Sequence, residues 1–379
     1  MIVFDYNNSG YIHKFLGNKV VKLPKEEFTL NYDCIYFADN SNISINKAIE
    51  KSYISLRKNL NKDYLVINSS ILHKWVQDRL FSYKIMEKIF KDNKYVEILE
   101  YGNVENWEKE KGIIKLRYED AGYKTTYIFK SKEELKSILR TYQDEYKKGI
   151  IIQELCEGEE IAFGSFFVNS EPVLPVYISF EFKKSISNQV GGNTGQSAEF
   201  GFYSNHEIPI SILQDISEYL KRNKINYTGT IDINGGWLNN TFYPYEFTAC
   251  RDGYPEILAF LYNEDLPNIL KTKQWKNTKK KYIIVIRIDS IEDNKKRYKF
   301  QVNEEEIKKD NYVWIPECKK EKDFYITNDA NIIGLIYKES EEIEEIEIKD
   351  NWFNIPIIYY VSFNEDVKKK WETFKWLAE

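Results

Sequence analysis

Three short runs of branched and aromatic residues open the chain: Met1–Phe4, Asp33–Ala38 (DCIYFA) and Tyr64–Asn68 (YLVIN). Each is too short for a helix and rich in residues that suit a pleated surface. Between the second and third runs, Ile45, Ala48, Ile49, Tyr53 and Leu56 recur at helical spacing, which predicts a helix over Ile45–Leu60. Strands alternating with a helix predict a small α/β unit built on a parallel sheet. A second helix is predicted over Ser70–Phe90, a stretch that includes WVQDRLFSYKIMEKIF.

The pattern then changes. Gly112–Lys130 (GIIKLRYEDAGYKTTYIFK) predicts strand, loop and strand, and KSKEELKSILRTYQDEYKK predicts an exposed amphipathic helix. Two further strands are predicted in GIIIQELCEGEEIAFGSFFVNSEPVLPVYISFEFKK, with a turn around Asn169–Pro172, followed by a Gly-, Asn- and Ser-rich loop over Ser185–Ser197. A helix over Ser211–Asn223 precedes strands at Tyr227–Ile233 and Thr241–Phe247, which predict a hairpin turning within NGGWLNN. Another helix is predicted to start near Tyr254, and the lysine-rich Lys271–Lys281 predicts a linker. Beyond it YIIVIRI, NIIGLIY and IPIIYYVSF predict strands ahead of a terminal helix. ESEEIEEIEIKD alternates acid with Ile and predicts a half-buried strand with a solvated face.

A chain of 379 residues exceeds one ordinary core and implies two or three lobes. The 54 basic and 59 acidic residues are intermixed and leave a formal charge of −5, so no broad positive field is available for a nucleic-acid backbone. Cys34, Cys156, Cys250 and Cys318 form no CxxC pair and follow no secretory leader, which predicts reduced thiols in a cytoplasmic protein. No apolar run approaches the roughly 20 residues a membrane helix needs.

Candidate chemistry resides in charged residues placed on strands. Lys115 and Lys124 flank the loop that contains Gly122, and lysines on neighbouring strands can hold phosphates as point charges. Exposed strand lysines are the plainer alternative. In QELCEGEE, Glu159 and Glu160 can accept hydrogen bonds from ribose hydroxyls, and the backbone at Glu154–Leu155 can read an adenine edge; an acidic surface turn is the alternative. Asp232 and Glu246 lie on the two strands of the predicted hairpin, where paired carboxylates call for a cation such as Mg²⁺. Arg251, five residues past Glu246, can hold a carboxylate or acyl phosphate. The loop VGGNTGQSAEFG permits close backbone approach to an anion. It is neither a GxGxxG opening a helix nor a GxxxxGK[ST].

Taken in order, QELCEGEE, NTGQSAE and EFTACRDGYPE resemble the EEFLxGEE, NTGGMGA and EFNxRFGDPE elements of the ATP-grasp superfamily, specifically glycinamide ribonucleotide synthetase (phosphoribosylamine–glycine ligase). EFKK before the loop is similar to that family's DHKR, and the helix with Asp78, Arg79 and Lys84 to the helix preceding its first ATP-binding lysine. The resemblance covers about residues 75–260. It implies an α/β (α+β) chain with an N-terminal α/β domain over 1–75, an ATP-grasp domain over 76–270 whose nucleotide-binding subdomain spans about 105–155, and a C-terminal mixed α/β lobe over 280–379.

The resemblance also implies roles. Lys115 and Lys124 would contact ATP phosphates, Glu154 and Leu155 would lie beside adenine, and Glu160 would bind ribose. Asp232, Glu246 and Thr248 would face Mg²⁺, Arg251 would hold the carboxylate and its acyl phosphate, and Asn193, Thr194 and Gly195 would cover the acceptor. The implied reaction joins a small-molecule carboxylate, an amino acid such as glycine, to an amine at the expense of ATP, mostly by positioning and charge neutralisation.

Departures sharpen the expectation. Thr248 replaces the family's asparagine, one extra residue precedes Arg251, and Gln196 and Ser197 replace loop glycines. These changes, with a shorter N-terminal region and a C-terminal lobe lacking the family's glycine-rich strings, describe a divergent relative with its own acceptor amine. Phage-type relatives make a nucleotide or modified DNA base one acceptor class. The alternatives are a chain that binds nucleotide without ligating and an interaction protein using its aromatic surface.

Overall fold

In the computed structural model, residues 1–4, 19–21, 32–38, 43–90, 98–100, 107–118, 126–142, 144, 149–187, 190, 193–250, 266–274, 282–291, 297–327 and 332–378 are described. The N-terminal strands β1 (Ile2–Phe4), β2 (Lys19–Val21), β3 (Cys34–Phe37) and β4 (Leu65–Ile67) form a parallel sheet in the order β2-β1-β3-β4. Ile2, Val3, Phe4, Ile35, Tyr36 and Phe37 are all fully buried, as expected of parallel strands covered on both faces. Helix α1 (Ile43–Asn59) makes the crossover from β3 to β4. It is fastened by buried Arg57, which donates to the Asp63 carbonyl at 2.7 Å and to Asp33 Oδ1 at 2.9 Å.

The helix predicted over Ser70–Phe90 is broken. A 3-10 turn at Ser70–Leu72 leads into α2 (His73–Gln77), and α3 (Arg79–Ile89) starts afresh after Asp78, whose backbone is extended (φ −107°, ψ 96°). The Asp78 carboxylate accepts from the Phe81 amide at 3.2 Å as an N-cap. It also takes a two-pronged contact from Arg117 Nε and Nη2, both at 3.0 Å. The apolar spacing runs through the break unchanged, so periodicity could not reveal it.

Four antiparallel strands form a second sheet: β5 (Ile98–Glu100), β6 (Gly112–Leu116), β7 (Thr126–Phe129) and β8 (Ile150–Gln153), ordered β5-β8-β6-β7. Helix α4 (Lys132–Thr141) closes it over a core of Trp107, Ile114, Phe129, Leu135 and Ile152. Ser131 Oγ caps the helix by accepting from the Glu134 amide at 3.1 Å.

Ten of the remaining strands build one sheet, while Lys299–Phe300, Lys319–Glu321 and Phe324–Ile326 pair among themselves in a separate three-stranded one. The strands of the larger sheet are β9 (Glu159–Val168), β10 (Glu171–Pro172), β11 (Val176–Lys184), β12 (Asn193–Ser204), β13 (Gly229–Leu238), β14 (Thr241–Ala249) and β15 (Tyr282–Ser290), with more from the C-terminal region. Helix α5 (Glu207–Arg222) joins β12 to β13, and α6 (Leu266–Thr272) precedes β15. After β15 come β16 (Lys299–Phe300), α7 (Glu304–Lys309), β17 (Val313–Pro316), β18 (Lys319–Glu321), β19 (Phe324–Ile326), β20 (Ile332–Ser340), β21 (Ile357–Ile358) and α8 (Phe363–Phe374). The path runs β14-β13-β9-β11-β12-β15-β20-β17, so strands from both sides of the predicted linker share one sheet. Within that linker α6 extends to Thr272, and residues 275–281 lie outside the described residues, as does the helix expected near Tyr254.

The two faces of this sheet differ. On one, Phe163, Ile178, Phe180, Phe200, Phe202 and Ile233 belong to the main core, which the C-terminal Trp352, Phe363 and Phe374 complete. Registers Asp232↔Gly164, Asn234↔Ala162, Ala162↔Ser179 and Glu181↔Glu199 put the alternate residues on the opposite face. At one end that second face is apolar and docks the N-terminal sheet through Val3, Tyr36 and Ile67 against Phe166, Val168 and Tyr177. At the other end it is charged.

Other expectations shift in detail. The hairpin turns at Asn239–Asn240 (φ 51° and 58°), the two-residue turn that twisted strands favour, while Gly235 and Gly236 lie inside β13. The loop expected over Ser185–Ser197 ends earlier, because β12 already begins at Asn193. Only Ile357–Ile358 of IPIIYYVSF is a strand. In ESEEIEEIEIKD, β20 stops at Ser340. Beyond it the Asn364 side chain takes both the amide (2.8 Å) and the carbonyl (2.9 Å) of Ile346, the groups a strand neighbour would need.

Asn68 joins the N-terminal sheet to the large one. It adopts φ 56°, donates from Nδ2 to the Phe37 carbonyl at 3.0 Å, and accepts at Oδ1 from the Thr230 amide at 3.0 Å. Gly229 leaves room for it, since a Cβ there would lie 2.4 Å from Asn68 Oδ1. Asn68→Ala should lower the unfolding free energy by about 2–4 kcal/mol, from stranded buried polar groups plus a left-handed backbone. Asn68→Gly, which relieves only the backbone part, should recover about 1 kcal/mol of that. Urea denaturation midpoints of both variants measure the difference.

Candidate active site

The charged end of the large sheet gathers side chains from several strands. Glu160 comes from β9, Glu181 and Lys183 from β11, Asp232 and Asn234 from β13, and Glu246 and Thr248 from β14. Asp232 pairs with Thr248 and Asn234 with Glu246, so these four share a face at adjacent rungs. The ladder then slips: Gly235 pairs with Pro244, leaving Tyr245 as the extra residue of a β-bulge. A bulge turns two successive side chains the same way, so Tyr245 joins Glu246 beside the site instead of entering the core. Its phenol is hydrogen-bonded to Glu160.

Lys115 reaches in from β6 of the second sheet. Its ammonium is 3.7 Å from Glu246 Oε2 and 5.2 Å from the centre of the Tyr245 ring. Arg79, at the start of α3, approaches Glu246 Oε1 at 4.0 Å and donates to the Leu116 carbonyl at 2.7 Å. The residue after Lys115's neighbour Leu116 is Arg117, whose clamp on Asp78 ties β6 to the same helix start. One junction thereby fixes both the lid strand and the guanidinium.

Burial dominates the electrostatics. Lys115 is 7% exposed, and burial pulls its pKa below the ordinary 10.5; Glu246 opposes that shift, while Arg79 and Lys183 reinforce it. Burial also pulls on Lys183, but Glu181 at 3.1 Å and Glu160 at 2.5 Å outweigh it and raise its pKa. Burial and then Glu160 push the Tyr245 phenol well above 10, so it remains a proton donor. Burial raises the Asp78 carboxyl, yet the Arg117 and Phe81 hydrogen bonds outweigh it and hold the pKa below the usual range.

Segment 154–158 links β8 to β9 and lies tightly on β13. A Cβ at Gly158 would meet the Trp237 carbonyl at 2.4 Å, and one at Gly236 would meet Cys156 Sγ at 2.3 Å. Glu154, predicted beside adenine with Leu155, pairs with Lys109 at 2.6 Å. The two carboxylates of the Glu159–Glu160 pair diverge: Glu159 pairs with Lys370 of α8, and Glu160 with Lys183. Asn193, Thr194 and Gly195 open β12, with Asn193 opposite Lys184, so their backbone is strand rather than loop; their side chains lie outside the described residues. Lys124 and Arg251 lie outside the described residues altogether.

Sequence reasoning had not placed Arg79, Lys183 or Tyr245 in the site. Lys183 carried a signal, since it and Glu181 interleave with Phe180 and Phe182 along one strand. Tyr245 carried none, because its orientation depends on the bulge. Among the described residues no three His, Cys, Asp or Glu side chains form a group fit to hold a metal alone. Two carboxylates with a hydroxyl at neighbouring rungs fit Mg²⁺ nonetheless, because that ion keeps several waters and shares its ligands with phosphates.

A four-stranded antiparallel lid facing the charged end of a larger antiparallel sheet, behind a parallel α/β unit, is the ATP-grasp fold. Among solved structures, this chain is similar to phosphoribosylamine–glycine ligase from Thermotoga maritima, at 13% identity and a TM-score of 0.67, over 95% of this chain and 98% of that one. It is also similar to phosphoribosylglycinamide synthetase from Anaerococcus prevotii, at 17% identity and a TM-score of 0.53, over 94% and 98%. N5-carboxyaminoimidazole synthetase from Staphylococcus aureus, solved with ADP, is 12% identical with a TM-score of 0.57, over 90% and 93%. At such identities the likeness is one of fold. No protein-family model matches the sequence, and no curated protein does.

The buried ammonium yields a prediction with a defined pH signature. Because the folded state lowers the pKa of Lys115, the unfolded chain holds that proton more tightly, and the charge weakens the fold at neutral pH. Lys115→Met should therefore be more stable than the parent protein by about 1 kcal/mol near pH 7. That advantage should shrink between the lowered pKa and 10.5, where the parent loses the proton. Urea denaturation at a series of pH values measures the gap.

Proposed function

We propose that this chain is an ATP-dependent carboxylate–amine ligase. The observation that supports the reading is the convergence of Lys115 from the lid with Glu160, Lys183 and Glu246 from the large sheet, at the mouth between the two. Point charges above and carboxylates below suit a nucleotide polyphosphate with its divalent cation. The reading divides the chain into an N-terminal unit over 1–75, an ATP-grasp unit over 76–270 and a C-terminal lobe over 280–379. It keeps the protein in the cytoplasm; no described helix is long and apolar enough to cross a membrane.

In this reading Lys115 and Lys124 bind phosphates, Glu160 holds ribose through its second oxygen, and the backbone of Glu154 and Leu155 faces adenine. Glu246, Asp232 and Thr248 would hold Mg²⁺, which would neutralise phosphate charge. Tyr245 keeps Glu160 oriented by its hydrogen bond and carries Lys115 over its ring. Arg251 orients the carboxylate, and Asn193, Thr194 and Gly195 line the acceptor side. ATP supplies the phosphoryl group: the carboxylate oxygen takes it and releases ADP, then the amine displaces phosphate from the acyl carbon and sheds a proton. The carboxylate is an amino acid such as glycine, and the acceptor differs from phosphoribosylamine, with a nucleotide or a modified DNA base as one class.

A second reading, nucleotide binding without ligation, draws on Thr248, which brings a hydroxyl where an amide would be the better ligand. Release of ADP across a panel of amino acids and amines separates the two. A ligase should show release that depends on both partners and falls about 100-fold or more in Glu246→Ala; ATP binding with no stimulated release anywhere in the panel would reject ligation. At 100 times its dissociation constant, Mg-ATP should add about 2.7 kcal/mol of stability, and a flat thermal shift would reject both readings. Tyr245→Phe, which keeps the ring but loses the hydrogen bond to Glu160, should weaken ATP binding by about fivefold, corresponding to roughly 1 kcal/mol. Titration calorimetry reads that change.

A further inference from the structure

Outside the candidate active site, a groove of about 640 Å³ runs along α1 and the Ser70–Leu72 turn. Lys47, Lys51 and Lys58 line it from α1, and Lys74 lines it from α2. The three on α1 recur at intervals of four and seven residues, so they form one stripe along the helix. All four are exposed. Among the described residues none of the four has a carboxylate within ion-pair distance.

Some lysines elsewhere in the chain are, by contrast, paired with acids. Lys221 and Lys273 converge on Glu171, and Lys111, Lys320, Lys338, Lys349 and Lys368 each have an acidic partner. In the groove the one carboxylate, Glu50, is already engaged. It accepts from Ser69 Oγ at 2.5 Å, from the Ser70 amide at 3.0 Å and from Ser70 Oγ at 2.7 Å. Serine hydroxyls thus hold the carboxylate, while Lys74 lies over the Phe81 ring at 4.2 Å and Lys58 over the Tyr64 ring at 5.9 Å, contacts that leave their positive charge in place. Like charges lining a concave surface focus their field into it and concentrate anions there.

We infer that this groove binds an organic phosphate carrying at least two phosphate charges, at a site separate from the proposed ATP site. At 1.5 Å per residue, Lys47 and Lys58 lie about 16 Å apart along α1, too far for one phosphate to reach both but matched to a molecule of nucleotide length. The volume falls in the range of small-molecule sites. Ile54 and Ile71 also line the groove and give a ring or sugar an apolar surface to lie on. A nucleic-acid strand is the less suitable occupant, since it would run beyond the groove over a chain of formal charge −5.

The inference is independent of the ligase reading, and its test reads lysines rather than turnover. The unmodified protein is acetylated with a lysine-specific reagent in the presence of inorganic pyrophosphate, ATP or a 12-nucleotide single strand, and each lysine is scored by mass spectrometry. Pyrophosphate and ATP should slow acetylation of Lys51 and Lys58 by about fivefold or more while leaving exposed Lys62 and Lys136 unchanged, as a one-sign cleft predicts. In the Lys51→Glu/Lys58→Glu variant, pyrophosphate should bind about tenfold more weakly by calorimetry, the equivalent of 1.4 kcal/mol. The thermal shift with Mg-ATP should persist in that variant. Equal acetylation with and without both phosphates, or affinity unchanged in the variant, would overturn the inference. Protection by the oligonucleotide alone would reassign the groove to a nucleic-acid backbone and overturn it as well.

Discussion

Burying aromatic residues on one face of a strand dictates where its other residues go. In the large sheet Phe163, Phe180, Phe200 and Ile233 must face the main core, so Glu160, Glu181, Asp232 and Asn234 have no choice but the opposite side. The same alternation makes that opposite side apolar where it meets Val3 and Tyr36 and charged where it meets the lid. Core and site are therefore two readings of one pattern of alternating residues. A shift of a single residue in any of these strands would exchange them.

The lid side of the site rests on a different compromise. Lys115 keeps its ammonium in a place that burial disfavours, with a carboxylate at 3.7 Å and an aromatic face at 5.2 Å as partial recompense. Neither contact is close enough to neutralise it fully. Under the proposed ligase reading, a polyphosphate would bring that ammonium more negative charge than one glutamate supplies. Asp78 supports this arrangement indirectly: it starts α3, fixes Arg117, and so sets where β6 lies relative to Arg79.

Much of this was legible in the sequence because it depends on local regularity. The parallel strands at Ile2–Phe4, Cys34–Phe37 and Leu65–Ile67, the helix between them and the β13–β14 hairpin follow from period and turn chemistry. So do the charges on strand positions, and the ordered strings resemble those of the ATP-grasp fold that the structure adopts. What escaped depends on contacts between distant segments. The break at Asp78 requires Arg117, 39 residues away. Gly235 and Gly236 suggested a turn, whereas the structure uses Gly236 to bring Cys156 onto the sheet. The acid–isoleucine alternation at 341–350 imitates a strand, but Asn364 takes the backbone groups that would have made it one.

The bulge at Tyr245 has a consequence for how the hairpin tolerates change. A regular strand is a two-letter alphabet, inside then outside, and it cannot spell the same letter twice in succession. The unpaired residue supplies a repeated letter, letting a phenol and a carboxylate stand side by side without lengthening the strand or displacing Phe247 from the core. Insertions or deletions between Asn234 and Glu246 are therefore changes of reading frame: a loss of one residue leaves the chain nearly the same length but makes phenol and carboxylate compete for one orientation.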